Sequence, residues 1–232
     1  MDRPQFVENQ IYHLYNRGVE KRRIFLNQKD YVRFIIDLYE FNDIAPALNF
    51  GRSIFAQPIE VRLQSKRQQP QVALLAFCLM PNHYHIMVQQ LTKNGITNFM
   101  RKLGTGYTNY FNTKYERVGS LFQGKFKATL LTHEAHFLYL PHYIHLNSLD
   151  VAPLRIKNTS ASKKETIDFL QKYRWSSLPD YLGTKNFPTV IDKKFLTACI
   201  GDKNEFRSQT QEWLTSGDIQ SIQDVMFDDL ID

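Results

Sequence analysis

The 232-residue sequence is poor in cysteine: Cys78 and Cys199 are the only two, and neither sits in a CxxC pattern. This excludes a disulfide framework and a cysteine-type zinc site. Long apolar runs are missing as well. None reaches the roughly 18 residues that cross a bilayer, so no membrane association is expected. The opening stretch, MDRPQFVENQ, lacks the apolar centre of a secretory signal, and a cytoplasmic location is the expectation. No internal repeat or low-complexity tract is visible. Positive charge is absent from the last nine residues, DVMFDDLID, which hold four Asp and no Lys or Arg. With a net charge of +6, the cations must therefore gather upstream. One gathering is 101–127, where Arg101, Lys102, Lys114, Arg117, Lys125 and Lys127 stand against a single acid, Glu116. That concentration leans toward a nucleic-acid partner, although a solvated basic face has the same composition.

What is present is the ordinary material of a soluble fold. Hydrophobic residues make up 43% and charged residues 22%, enough for one good core plus an extension. NQIYHLYNRG (9–18) reads as a strand, with Ile11, His13 and Tyr15 on one face and Tyr12 and Leu14 on the other. NQKDYVRFIIDLYEF (27–41) reads as a helix with Asn27 as N-cap and Asp30 at the positive end of its macrodipole. Residues 42–70 carry Pro46, Gly51, Pro58 and Pro70 and read as a long loop with a short extended piece at IEVRLQ. QVALLAFCLM (71–80) and HYHIMVQQ (83–90) form an antiparallel pair turned at Pro81-Asn82. Residues 95–115 read as a long helix in which Gly104 and Gly106 allow a bend or a close approach. SLFQGKFKATLLT (120–132) reads as a strand or hairpin. Residues 133–149 read as a helix with Thr132 as N-cap and a kink at Pro141. The order strand, helix, strand, strand, helix, strand, helix predicts an α+β fold, one antiparallel sheet with packed helices. After about residue 155 the chain turns polar. Helices at 164–173, 192–199 and 203–215 would form a C-terminal helical extension, giving units at 1–155 and 156–232.

The chemistry is concentrated in CLMPNHYHIMVQQ, residues 78–90. His83 and His85 are two apart in a strand, so they point to one side with their backbone positions roughly 7 Å apart. Two imidazoles on one face can converge on a divalent ion, or can be packed histidines. HYIHLN adds Tyr143 and Asn147, four apart and therefore neighbours on one helix face. Asn147 offers an amide oxygen to a metal. A His-His-amide set suits Mg²⁺ or Mn²⁺ with open positions better than a closed structural zinc. Such an ion would polarise a phosphodiester, and Tyr143 would attack it to leave a covalent intermediate. On its own, Tyr143 reads as an aromatic core anchor.

Several of these segments together resemble a known family. MPNHYHIMV resembles the His-hydrophobic-His motif of HUH endonucleases, with a lead-in typical of the single-tyrosine transposases of small insertion sequences and of the REP-associated tyrosine transposases. YHLYNRGVEKRRIFLNQKDYVRF, FMRKLGTGYTNYFNTKYERVGSLFQGKFKATLL, YIHLN and YRWSSLPDYLG follow in the family's order, over roughly residues 9–183. The resemblance implies a ferredoxin-like core. It puts the metal ligands on His83, His85 and Asn147 and the nucleophile on Tyr143. It implies cleavage and rejoining of single-stranded DNA beside a hairpin or imperfect palindrome, through a 5′-phosphotyrosine and a free 3′-OH. Cations would meet phosphates along Arg101, Lys102, Lys114, Arg117, Gln123, Lys125 and Lys127. The resemblance leaves open a homodimer with the tyrosine helix docked on the partner's histidines. Tyr139, one turn before Tyr143, matches the two-tyrosine spacing of some rolling-circle replication initiators but reads as core. Ser148 stands where relatives commonly have proline. The alternatives are a domesticated REP-type hairpin-binding or processing protein and a rolling-circle-type initiator. A zinc hydrolase would lack a carboxylate base near the histidines.

Overall fold

The computed structural model describes residues 3–45, 58–63, 69–157 and 161–216. Most of the loop 42–70 and the acidic tail DVMFDDLID lie outside the described residues. The strands are β1 (Ile11–Arg17), β2 (Val72–Met80), β3 (His83–Gln90) and β4 (Lys127–Leu130). The helices are α1 (Gln28–Glu40), α2 (Ile59–Arg62), α3 (Gly95–Lys114), α4 (Glu134–Leu146), α5 (Leu154–Lys157), α6 (Lys163–Lys172), α7 (Leu178–Tyr181), α8 (Lys193–Ile200) and α9 (Lys203–Ser216). The sheet order is β2-β3-β1-β4, antiparallel throughout. With α1 between β1 and β2 and α3 between β3 and β4, this is the ferredoxin-like arrangement that the family resemblance implies.

The pleat sorts the side chains by chemistry. His13 and Tyr15 of β1 and His85 of β3 face α4, where the rings of His13 and His85 meet Tyr143. Tyr84, between the two histidines, faces the other way and meets Phe34 of α1. Phe34 in turn meets Tyr107 of α3. The sheet is thus covered on both faces, which is why all nine residues of β2 are buried. Each large apolar side chain so buried contributes about 1.5–3 kcal/mol.

Local chemistry fixes the ends. Asn27 Oδ1 accepts from the Lys29 amide at 3.0 Å, and Asp30 Oδ2 accepts from the Asn27 amide at 3.2 Å, so both capping groups are satisfied. The Pro81-Asn82 turn joins the paired ends Met80 and His83. It is anchored by the amides of Ile24 and Gly18, which donate to the Pro81 and Asn82 carbonyls at 2.8 Å each. The free edge of β2 is covered by the segment that carries YRWSSLPDYLG. The Leu79 amide donates to the Trp175 carbonyl at 2.9 Å, and the Ser177 amide donates to the Phe77 carbonyl at 3.0 Å. Tyr181 Oη and the Asp192 amide donate to the Leu75 and Leu74 carbonyls at 2.6 and 2.7 Å. An edge satisfied this way has no ladder left to offer another strand.

Four local expectations need correction. IEVRLQ is not extended: Ile59–Arg62 is one helical turn begun at Pro58, whose fixed φ suits a helix start. The strand expected over 120–132 shrinks to Lys127–Leu130, because Gly124 sits in the left-handed region (φ +77) and breaks the extended run. The N-cap of α4 is His133 rather than Thr132. Gly106 admits a side chain rather than a backbone: a Cβ there would lie 2.5 Å from the Phe41 ring.

Candidate active site

β1 and β3 pair with Tyr15 opposite His85 and Arg17 opposite His83. α4 lies across this face and its last turn passes into a 3₁₀ turn, Asn147–Val151. The result brings His83, His85, Tyr143 and Asn147 together from segments about sixty residues apart. The Tyr143 ring stands 5.6 Å from that of His85, and the two histidine rings are 5.1 Å apart and nearly perpendicular. Asn147 Nδ2 donates to the Tyr143 carbonyl at 2.8 Å, the i, i+4 contact that holds the amide in place. Its side chain is also in hydrogen-bonding reach of the His83 ring and the Tyr143 hydroxyl.

The ring nitrogens are already sorted. His83 Nδ1 is 2.7 Å from Asn82 Oδ1. With the amide oxygen accepting, the proton sits on Nδ1 and the Nε2 lone pair is left for other use. His85 Nδ1 is 2.9 Å from His13 Nε2, and the two rings lie nearly parallel at 5.1 Å. Holding Nδ1 of each histidine in this way orients its ring as metal-ligating imidazoles require. Burial lowers the pKa of His83 to about 4 and that of His13 to about 3. Burial lowers that of His85 well below the usual range, with the neighbouring His13 and His83 adding to it. All three are neutral at neutral pH, the state in which imidazole binds a metal. Tyr143 is 4% exposed, and burial raises its pKa above the ordinary phenol value.

A divalent ion suits this donor set. Among the described residues no group of three or more His, Cys, Asp or Glu is disposed to hold an ion. The groups that converge are two imidazoles and an amide, a set for a borderline or hard ion with open positions. Tyr139 is buried at 1% exposure, packed on Trp213 at 4.6 Å, and its hydroxyl has no hydrogen-bond partner among the described residues. Of the three histidines of α4, His142 and His145 serve the extension. His142 reaches Thr210 and Gln209 of α9 at 3.0 and 3.3 Å, and His145 reaches Ser177 Oγ at 2.8 Å. Ser148 Oγ donates to the His145 carbonyl at 2.9 Å and so ties down the helix end.

The basic residues divide into two groups. Lys102 Nζ donates to the carbonyls of Asp43 and Ala45 at 2.6 and 3.2 Å. Lys114 Nζ is paired with the buried Asp30 and also donates to Tyr110 Oη at 3.0 Å. Both are committed to the chain's own oxygens. Arg101, Gln123, Lys125 and Lys127 are exposed and Arg117 is half-buried. Arg117 donates to Asn112 Oδ1 at 3.1 Å, and Gln123 Oε1 accepts from Arg17, which stands at the His83 end of the sheet. Asn82 and Arg17 join the site or its rim without a signal in the sequence. His13 had one: its i, i+2 place beside Tyr15 put it on a definite face, and the register of β1 against β3 carries it to His85.

Residues 50–147 match the family described as "Transposase IS200 like", a stretch that runs from before β2 and ends on Asn147. Over that stretch, less than half of the chain, the sequence is similar to IS200-like transposases. A solved structure described as a REP-associated tyrosine transposase bound to a REP hairpin is similar at 10% identity. The alignment covers 82% of this chain and 88% of that one, with a TM-score of 0.49. A search of curated proteins found no match.

Proposed function

We propose that the protein is a metal-dependent endonuclease and strand transferase for single-stranded DNA, with Tyr143 as nucleophile. The observation that carries this reading is the convergence of Tyr143, Asn147, His83 and His85 on one sheet face. In the reaction, Tyr143 Oη attacks the phosphorus of a phosphodiester and its proton passes to solvent. The bond from phosphorus to the 3′ oxygen breaks, and that oxygen leaves as a free 3′-OH after taking up a proton. The 5′ phosphate stays on Tyr143. Reversal by another 3′-OH rejoins strands without an external energy source, since the phosphotyrosine conserves the bond. A Mg²⁺ or Mn²⁺ ion held by His83, His85 and the Asn147 amide would polarise the phosphate and stabilise the leaving oxygen. Asn82 and His13 hold the two imidazoles, and Asn147 orients the phenol. The Tyr143 phenol is protonated at neutral pH, and burial raises its pKa further.

DNA beside a hairpin or imperfect palindrome is the proposed substrate, bound through Arg101, Arg117, Gln123, Lys125 and Lys127. Lys102 and Lys114 contribute to the fold instead. Residues 1–155 would carry the chemistry and 156–232 would steady α4 and the β2 edge. Tyr143 lies over the histidines of its own chain, which favours attack in cis. The alternative is a hairpin-binding protein without cleavage, and the adduct test below separates the two. The test is incubation with a hairpin-flanked single strand and Mn²⁺. A covalent adduct on a denaturing gel is expected from the wild type and none from Tyr143→Phe. A normal adduct from that variant would remove the assignment.

A further inference from the structure

The face of the sheet opposite the histidines carries a second opening. A groove of about 530 Å³ lies between α3 and the segment before β4, floored by Tyr84 and Phe122. Three cations line it, Arg3, Arg101 and Lys125, and no carboxylate does. Gly104 forms part of its wall. A glycine inside a helix is roughly 0.5–1 kcal/mol worse than alanine, and the chain supplies no reason for this one. A Cβ at Gly104 would meet nothing within 4 Å, whereas at Gly106, one turn-fraction away, it would collide with Phe41. Gly104 therefore leaves a flat backbone surface open beside three cations. Flat apolar surface together with positive charge matches a planar base joined to a phosphate.

We propose that this groove holds one unpaired nucleotide, its base against Gly104 and the Tyr84–Phe122 floor and its phosphate among Arg3, Arg101 and Lys125. The inference rests on the reading that the chain handles single-stranded DNA. It adds a binding site separate from the catalytic cluster. The groove and the cluster share one end of the sheet: Asn16, in the groove, pairs with Tyr84, and the next pair is Arg17 with His83. One strand rounding this end could reach both faces.

The test uses Gly104→Leu, which fills the groove with a better helix former and should unfold no earlier than the wild type. A fluorescein-labelled hairpin with single-stranded flanks, followed by anisotropy, should bind it at least tenfold more weakly. A fully paired duplex of the same length should bind both proteins alike. The Tyr143 adduct should still form when the flanked hairpin is saturating. Arg101→Gln combined with Lys125→Gln should weaken the same probe and flatten its salt dependence, which keeps the proposal testable if Gly104→Leu folds poorly. Unchanged affinity in both variants, with wild-type binding intact, would overturn the groove and leave the catalytic reading standing. An equal loss for the duplex would overturn the unpaired nucleotide. A wild type that binds no single-stranded DNA would overturn both readings together.

Discussion

Tyr139 and Tyr143 stand one turn apart on α4, and their hydroxyls have different surroundings. That of Tyr143 is in reach of Asn147, while that of Tyr139 is buried without a partner among the described residues. Leaving a buried hydroxyl unpaired costs about 1–3 kcal/mol. Tyr139→Phe should therefore raise stability by about 1 kcal/mol in urea titration and leave adduct formation unchanged. A loss of adduct in Tyr139→Phe would mean that both tyrosines take part. His83→Ala should lose metal-dependent cleavage and keep most DNA affinity, because affinity resides in phosphate contacts elsewhere. Full cleavage by that variant would place the metal away from His83. The spacing of H-x-H and of Tyr143 with Asn147 put each pair on one face, and it was the family resemblance that joined the two pairs into one candidate site. His13 was legible only in part: its face on the first strand could be read, but its contact with His85 depends on a strand register that no local pattern encodes. Lys102 and Lys114 illustrate the converse. A charge run shows where cations are dense but not which ones the chain neutralises itself.

Elements follow their periodicity where one face is apolar throughout. α1, α3 and β3 begin and end within a residue or so of their sequence patterns, and β3 matches it in full. The reading failed where a single backbone conformation decides. β4 is short because Gly124 turns the chain, and 59–62 coils because Pro58 precedes it. α3 contains both kinds of glycine, and they are separable by experiment. Gly106→Ala should lower stability by roughly 1–3 kcal/mol, because its Cβ would press on the Phe41 ring in a packed core. The smaller variant Gly104→Ala should raise it by roughly 0.5–1 kcal/mol. Matching thermal unfolding for the two variants would contradict this division of α3.

Across the whole molecule, α4 links the histidine face of the sheet to the C-terminal extension through His142 and His145. Burial lowers the pKa of His142 to about 4, against an ordinary value of 6.5. As the pH falls, the unfolded chain takes up this proton first. The stability that the neutral ring contributes is whole above pH 6.5 and is lost between pH 6.5 and about 4. His142→Gln keeps an amide toward Thr210 but cannot titrate. Its urea midpoint should fall less steeply than that of the wild type over this range, and equal slopes would contradict the buried neutral ring. The covering of the β2 edge by residues 173–192 was not visible beforehand, because pairing by isolated amides leaves no alternation in the sequence.

The central claim is that Tyr143 acts on DNA bound at the histidines of its own chain. Mixing His83→Ala with Tyr143→Phe tests it most directly, with each variant alone as control. Equimolar mixtures should yield no covalent DNA adduct with Mn²⁺, because each chain lacks one half of its own site. Recovery of adduct in the mixture, to a substantial fraction of the wild-type level, would show that one chain's tyrosine serves another's histidines.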